Sequence, residues 1–143
     1  MKLQTLSKNK FTVTAVTSGG DNPNCPVTDF LLDIPNKYEG SATGMIALFD
    51  TVAENGLDGL SSKLSHYVDK NEKIYEFIKG DLRVFFFKGH CDVIVIATHG
   101  IVKKSQKTRT KDKNIAIKLK KQYQQSHDEG KVEILPEPDD TEE

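Results

Sequence analysis

The chain has 143 residues, 36% hydrophobic and 29% charged, which suits one soluble globular domain that can bury about two-thirds of its unfolded surface without a disulfide or metal staple. No apolar run approaches the roughly 20 residues of a membrane helix, and residues 1–14 alternate polar and apolar side chains without the apolar stretch of a secretory signal. Cys25 and Cys91 lack CxxC or Cys/His ligand spacing, so no zinc site or other cofactor is expected, and the thiols fit a reducing cytoplasm with no membrane association. The formal charge of -1 conceals a strong polarity: residues 127–143 carry -7, residues 1–126 carry +6, and residues 103–121 hold nine Lys or Arg against one Asp. On charge alone that basic block reads equally as a phosphate-facing surface or a solvated helix face.

In chain order, residues 11–17 (FTVTAVT) alternate around β-branched side chains and predict a first strand. After a turn-rich SGGDNPN, Pro26 suits the first turn of a helix with Val27, Phe30, Leu31 and Ile34 at helical spacing, ended by Pro35. Ser41 can cap a second helix striped by Met45, Leu48, Phe49 and Val52, and Asn55-Gly56 stops it. Residues 56–71 read as irregular, with Leu57, Leu60 and Leu64 sealing the core edge.

The pattern then changes. Residues 73–79, 82–88 and 92–98 are rich in Ile, Val, Phe and Tyr and are separated by the turn-prone Gly80-Asp81 and Gly89-His90-Cys91. Such short links predict an antiparallel meander, because parallel neighbours need long crossovers. Residues 112–126 form a last helix with Ile115, Leu119 and Tyr123 on one side, and the acidic stretch from Asp128 is expected to lack structure. The expected organisation is a domain over residues 1–126 and an acidic tail over 127–143. Its class is α+β: a small antiparallel sheet, made of the N-terminal strand and the three-stranded meander, with two N-terminal helices and one C-terminal helix.

The segment from Lys73 onward resembles the toxins of bacterial type II toxin–antitoxin systems in the RelE/ParE superfamily, in the phage-derived Gp49-like or HigB-like branch. The residues that carry the resemblance are Tyr75-Glu76-Phe77, Arg83-Val84-Phe85, His99-Gly100-Ile101, the loop Lys103-Lys104-Ser105-Gln106-Lys107-Thr108, and Ala116. Pro26-Val27-Thr28-Asp29-Phe30-Leu31 and the helix ending at Gly56 match more weakly, so the likeness spans about residues 11–125. Two positions depart from the pattern: the arginine of the first meander strand falls on Ile78, beside Lys79, and the proline after Lys-Thr is Arg109.

The resemblance implies a RelE-like fold and a ribosome-dependent, metal-independent endoribonuclease that cleaves mRNA. It further implies the ribosome and mRNA as partners, and a cognate antitoxin, expected to carry a helix-turn-helix. Attack of the ribose 2′-hydroxyl on its own phosphate needs a base, a cation for the charge that develops on phosphorus, and an acid for the leaving 5′-oxygen. Arg83 is the first candidate for the phosphate clamp, since its fork can hold two phosphate oxygens; an arginine snorkelling over Phe85 and Phe87 is the alternative. Lys103 and Lys104 are catalytic candidates, and with Lys107 they suit phosphate binding as point charges. Lys79, Arg109 and Lys111 are further RNA-binding candidates.

His99 lies at a strand end beside the basic loop, and histidine as a residue type suits proton transfer near neutral pH, but its parity with Val93, Val95 and Ala97 fits a satisfied core histidine equally well. Glu76 fits an ion pair with Arg83 across paired strands, besides a catalytic role. Tyr75 can stack on a base or simply pack. Two other functions remain compatible with the sequence: a ParE-like, non-nucleolytic inhibitor of DNA gyrase, and an inactive nucleic-acid-binding adaptor.

Overall fold

The computed structural model describes residues 1–103 and 110–137. Strands β1 (Lys2–Lys8) and β2 (Thr12–Val16) are followed by helix α1 (Pro26–Leu32), a 3-10 turn over Asn36–Tyr38 and helix α2 (Glu39–Asn55). Strands β3 (Ser65–Asp69), β4 (Ile74–Lys79), β5 (Leu82–Phe87) and β6 (Val93–Val102) come next, then helix α3 (Thr110–Asp128) and strand β7 (Glu133–Leu135). All seven strands join one sheet in the order β3-β4-β5-β6-β2-β1-β7.

The meander is present as β4, β5 and β6, antiparallel throughout. Its first link is a two-residue loop with Gly80 at φ 56, a conformation that glycine adopts without steric cost. The sheet around it is larger than expected and mixed. Strand β2 runs parallel to β6, which the long connection through α1, α2 and the meander allows. The alternation of residues 2–8 forms β1, with Leu3, Thr5 and Ser7 turned inward.

Residues 65–69, expected to be irregular, pair with β4 as an edge strand. The leucines before them had masked a short run with no apolar face of its own. The acidic stretch expected to lack structure pairs with β1 over Glu133–Leu135, helped by the N-terminal amine donating to the Lys131 carbonyl at 2.8 Å.

Two apolar layers result. On one sheet face α1 and α2 cover Val13, Ala15, Phe77, Val84, Phe86, Val95 and Ala97; on the other α3 places Ala116 and Tyr123 over Ile74, Phe85, Phe87 and Ile96. The helices thus flank the sheet on both sides rather than sharing one. Helix α2 begins at Glu39, two residues before the expected cap at Ser41, and ends where Gly56 takes φ 84.

The packing also explains the glycine after His99. A Cβ at Gly100 would press into the Phe30 ring, 2.6 Å from Cε2. Gly100→Ala is expected to cost about 1–3 kcal/mol through overpacking, read as an earlier urea midpoint at unchanged slope.

Candidate active site

The face of the sheet beneath α3 gathers most of the titratable side chains singled out in the meander. Glu76 stands opposite Phe85 in the β4–β5 ladder, and Arg83 stands opposite Ile78 on β4 and Ile101 on β6. Period-two alternation therefore puts Glu76, Arg83 and Phe85 on one face. His99 joins them because β6 carries a bulge: Phe85 pairs with His99 but Phe86 pairs with Ala97, leaving Thr98 as the extra residue. The bulge turns His99 away from the face of Val95 and Ala97, with which simple alternation had grouped it.

Each of these side chains has defined partners. The Glu76 side chain is 1% exposed; its Oε2 lies 2.9 Å from His66 Nε2, and its Oε1 lies 4.0 Å from Arg83 Nε. Neither Glu76 Oε1 nor Arg83 Nε makes a hydrogen bond among the described residues. The diagonal ion pair expected between them is therefore present as a long contact. Arg83 Nη1 donates to the carbonyls of Gly80 (2.8 Å) and Leu82 (2.9 Å), which ties the guanidinium to its own hairpin.

The same turn anchors Lys103, whose backbone N–H donates to the Asp81 carbonyl at 2.7 Å. His99 is held at both ring nitrogens: Thr98 Oγ1 is 3.0 Å from Nδ1 and Asp112 Oδ1 is 3.3 Å from Nε2. Its ring also packs on Phe85 at 4.9 Å between centroids. A carboxylate behind one nitrogen orients an imidazole and supports its protonated form through a charge-assisted hydrogen bond.

Other candidates lie elsewhere. Tyr75 and Lys79 point to the opposite sheet face, so β4 itself separates them from Arg83 and His99. Tyr75 is stacked between Tyr67 (4.6 Å) and Phe86 (5.2 Å), and the Lys79 chain lies where a Cβ at Gly44 of α2 would meet it. Burial, with the Tyr67 hydroxyl beside it, pushes the Tyr75 phenol from 10.0 up to about 12. Because the folded value is the higher one, the contribution of Tyr75 to stability is fully present below pH 10 and is lost as pH rises through about 12. Denaturant melts across that range should show a shallower alkaline loss for Tyr75→Phe than for the parent chain.

Lys111 is exposed at the start of α3. Two neighbours on that helix, half-buried, have partners that their setting in a basic run does not suggest. Lys113 Nζ lies 3.6 Å from Asp69 Oδ2, and Lys120 Nζ donates to the Glu72 carbonyl at 2.6 Å, so both fasten α3 to the β3–β4 turn. Burial lowers the Lys120 pKa, whereas the Asp69 carboxyl is lowered chiefly by the Glu72 backbone N–H. Lys104, Lys107 and Arg109 lie outside the described residues.

Sequence reasoning missed two contributors. Asp112, 2% exposed, had been counted only as an acid in the basic block. His66 sat in a segment read as irregular; only the pairing of Ser65–Asp69 with β4 sets it opposite Glu76. At the far end of the same sheet face, His90 Nδ1 lies 2.7 Å from the Tyr123 hydroxyl and its ring stacks on His127 at 3.6 Å, clamping the β5–β6 turn to α3.

Among the described residues, no helix is long and apolar enough to cross a membrane. A family model described as "Phage derived protein Gp49-like (DUF891)" matches residues 29–121, from α1 through most of α3, and so spans the whole of the Glu76–Arg83–His99 face. No curated protein matches the chain.

Proposed function

This chain belongs to the Gp49-like family of phage-derived proteins, a RelE/HigB-like toxin family, and from that membership we propose that it is a ribosome-dependent mRNA endoribonuclease that arrests translation. Family membership makes it a toxin-antitoxin toxin with an antitoxin partner; cleavage of mRNA on the ribosome is the finer reading. The observation that carries it is the convergence of Arg83 and the Asp112-supported His99 on one sheet face, with the Lys103 backbone fastened to the turn that also holds Arg83.

The chemistry follows from those positions. The Arg83 Nη2 group makes no hydrogen bond among the described residues, and it is the part of the fork available to a phosphate. There it would offset the charge that develops as the 2′-oxygen attacks phosphorus. Its fixed cationic state suits that task at neutral pH. Lys103, with Lys104, Lys107 and Arg109 following it in sequence, supplies sequence-independent attraction for the backbone. His99, backed by Asp112, is the proton donor for the departing 5′-oxygen. The partner that silences the toxin would be an antitoxin with a helix-turn-helix, laid over this cationic face.

Mapping 5′ ends by primer extension after incubating the purified chain with message, with and without ribosomes, tests the reading. Cuts confined to translated message at fixed codon positions are expected. Growth arrest on expression with intact message would instead favour a gyrase-type protein target, and the basic loop would then be an interface.

A further inference from the structure

We propose that the cavity beside strand β3 binds a guanine nucleotide, with the base stacked on Tyr67 and hydrogen-bonded to Asp58 and the phosphate at Lys88. This site goes beyond the nuclease reading and stands without it, because it lies on the sheet face opposite Arg83 and His99.

Tyr67 on β3, Tyr75 on β4 and Phe86 on β5 form one row across three strands, and cross-strand pairing puts all three side chains on the same sheet face. Their rings stack in sequence, at 4.6 Å between Tyr67 and Tyr75 and 5.2 Å between Tyr75 and Phe86. Tyr75 is covered by a ring on either side. Tyr67 is not, because β3 ends the sheet, and it stays 43% exposed. An edge tyrosine backed by two further rings is a fixed platform, and every nucleobase has a π-face that can stack on one.

Tyr67 borders a cavity of about 260 Å³, lined also by Leu57, Tyr75 and Phe86. That size lies just below the usual range of small-molecule sites, and suits one base with its sugar and phosphate at the rim. Two opposite charges, Asp58 and Lys88, line the same cavity. Lys88 Nζ lies 5.1 Å from the centre of the Tyr75 ring, and neither charge has an ion-pair partner among the described residues. The carboxylate selects the base. Guanine offers two adjacent donors, N1–H and N2–H, to the two carboxylate oxygens. Adenine and cytosine offer one amine beside an acceptor nitrogen, and uracil one N–H between two carbonyls. The ammonium of Lys88 then meets the phosphate as a point charge.

Two sources carry this chemistry: a free guanine nucleotide and an unpaired guanosine in RNA. A base held here is distinct from the nucleotide at Arg83, since the sheet lies between them. A free nucleotide would make the cavity an effector site, and an unpaired guanosine would make it a second RNA contact.

The test is titration of the full-length chain, read by calorimetry and by NMR shifts of Tyr67, with thermal melts to verify that each variant folds. The probes are GMP, guanosine, AMP, UMP, inorganic phosphate, and a short uridine RNA with and without one guanosine. The guanine ligand is expected to bind about 10-fold or more tighter than its counterparts, the discrimination of one bidentate pair. Asp58→Asn should erase that preference. Tyr67→Ala should weaken binding about 5-fold or more, the usual loss of one stacked base, and Tyr67→Phe should retain it. Lys88→Ala should weaken GMP and leave guanosine unchanged, and Arg83→Ala should alter none of these affinities. Tighter binding of GMP than of the guanosine-containing RNA identifies the free nucleotide as the source, and the reverse order identifies RNA. If neither guanine ligand is preferred, or inorganic phosphate binds as tightly as GMP, the proposal is overturned. A folded Tyr67→Ala chain with parental affinity overturns it as well. No cleavage enters the readout, so either outcome leaves the nuclease reading to its own test.

Discussion

Replacing Arg83 with alanine is expected to lower cleavage of ribosome-bound message by about two to three orders of magnitude, the usual effect of deleting one preorganised donor to a developing oxyanion. The chain should still fold. The Arg83 hydrogen bonds run to carbonyls of its own hairpin, Gly80 and Leu82, and water can replace the guanidinium at that partly exposed turn. Glu76 keeps its short contact with His66 in the variant. Arg83→Lys should recover little, because a point charge cannot reproduce a fork that holds two backbone carbonyls and a phosphate together. Parental rates from a folded Arg83→Ala chain would remove this residue from the chemistry and leave it a hairpin tether.

The largest effect on stability should come from the opposite face of the same strand. Phe86 is fully buried and lies between Tyr75 at 5.2 Å and Phe77 at 4.1 Å, so three rings stack across β4 and β5 beneath α2. Phe86→Ala removes the middle ring and leaves a cavity walled by strands that cannot collapse onto it. The expected cost is about 3–5 kcal/mol, visible as a fall in Tm of about 10 °C or more. At a temperature where the variant is still folded its cleavage rate should stay near the parental one, since the sheet separates Phe86 from Arg83 and His99. A Phe86→Ala chain that melts with the parent would mean that the aromatic stack is not a principal part of the core. Together the two variants test whether β5 divides into a chemical face at Arg83 and a structural face at Phe86.

That division was half legible in the chain. Alternation along residues 82–88 already grouped Arg83 with Phe85 and Phe87, and the structure keeps that grouping. The pairing of Glu76 with Arg83 was also readable, because a two-residue hairpin loop at Gly80-Asp81 sets the register of both strands. His99 was not placed correctly. Its parity depends on a bulge at Thr98 that no local residue pattern announces. His66 escaped notice because five residues at a sheet edge, mostly polar and half exposed, carry almost no periodic signal. Lys113 and Lys120 looked like two more charges in a basic run, and only the position of α3 over the β3–β4 turn turned them into structural ties.

The local elements of this protein were legible in the chain alone: three helices with their Pro26 start and Gly56 stop, and an antiparallel meander, most of it within the stretch 29–121 that matches its family. Helical and strand periodicity, turn residues and caps act within a few positions of one another, so they can be read from the chain directly. The tertiary structure decided which strands became neighbours, placed β2 beside β6 and β7 beside β1, and set helices on both faces of the sheet. It also decided which residues meet at the site, bringing His66 to Glu76 and Asp112 to His99. Those contacts join separate segments through long-range register and packing, where a one-residue bulge is enough to move a side chain from one face to the other.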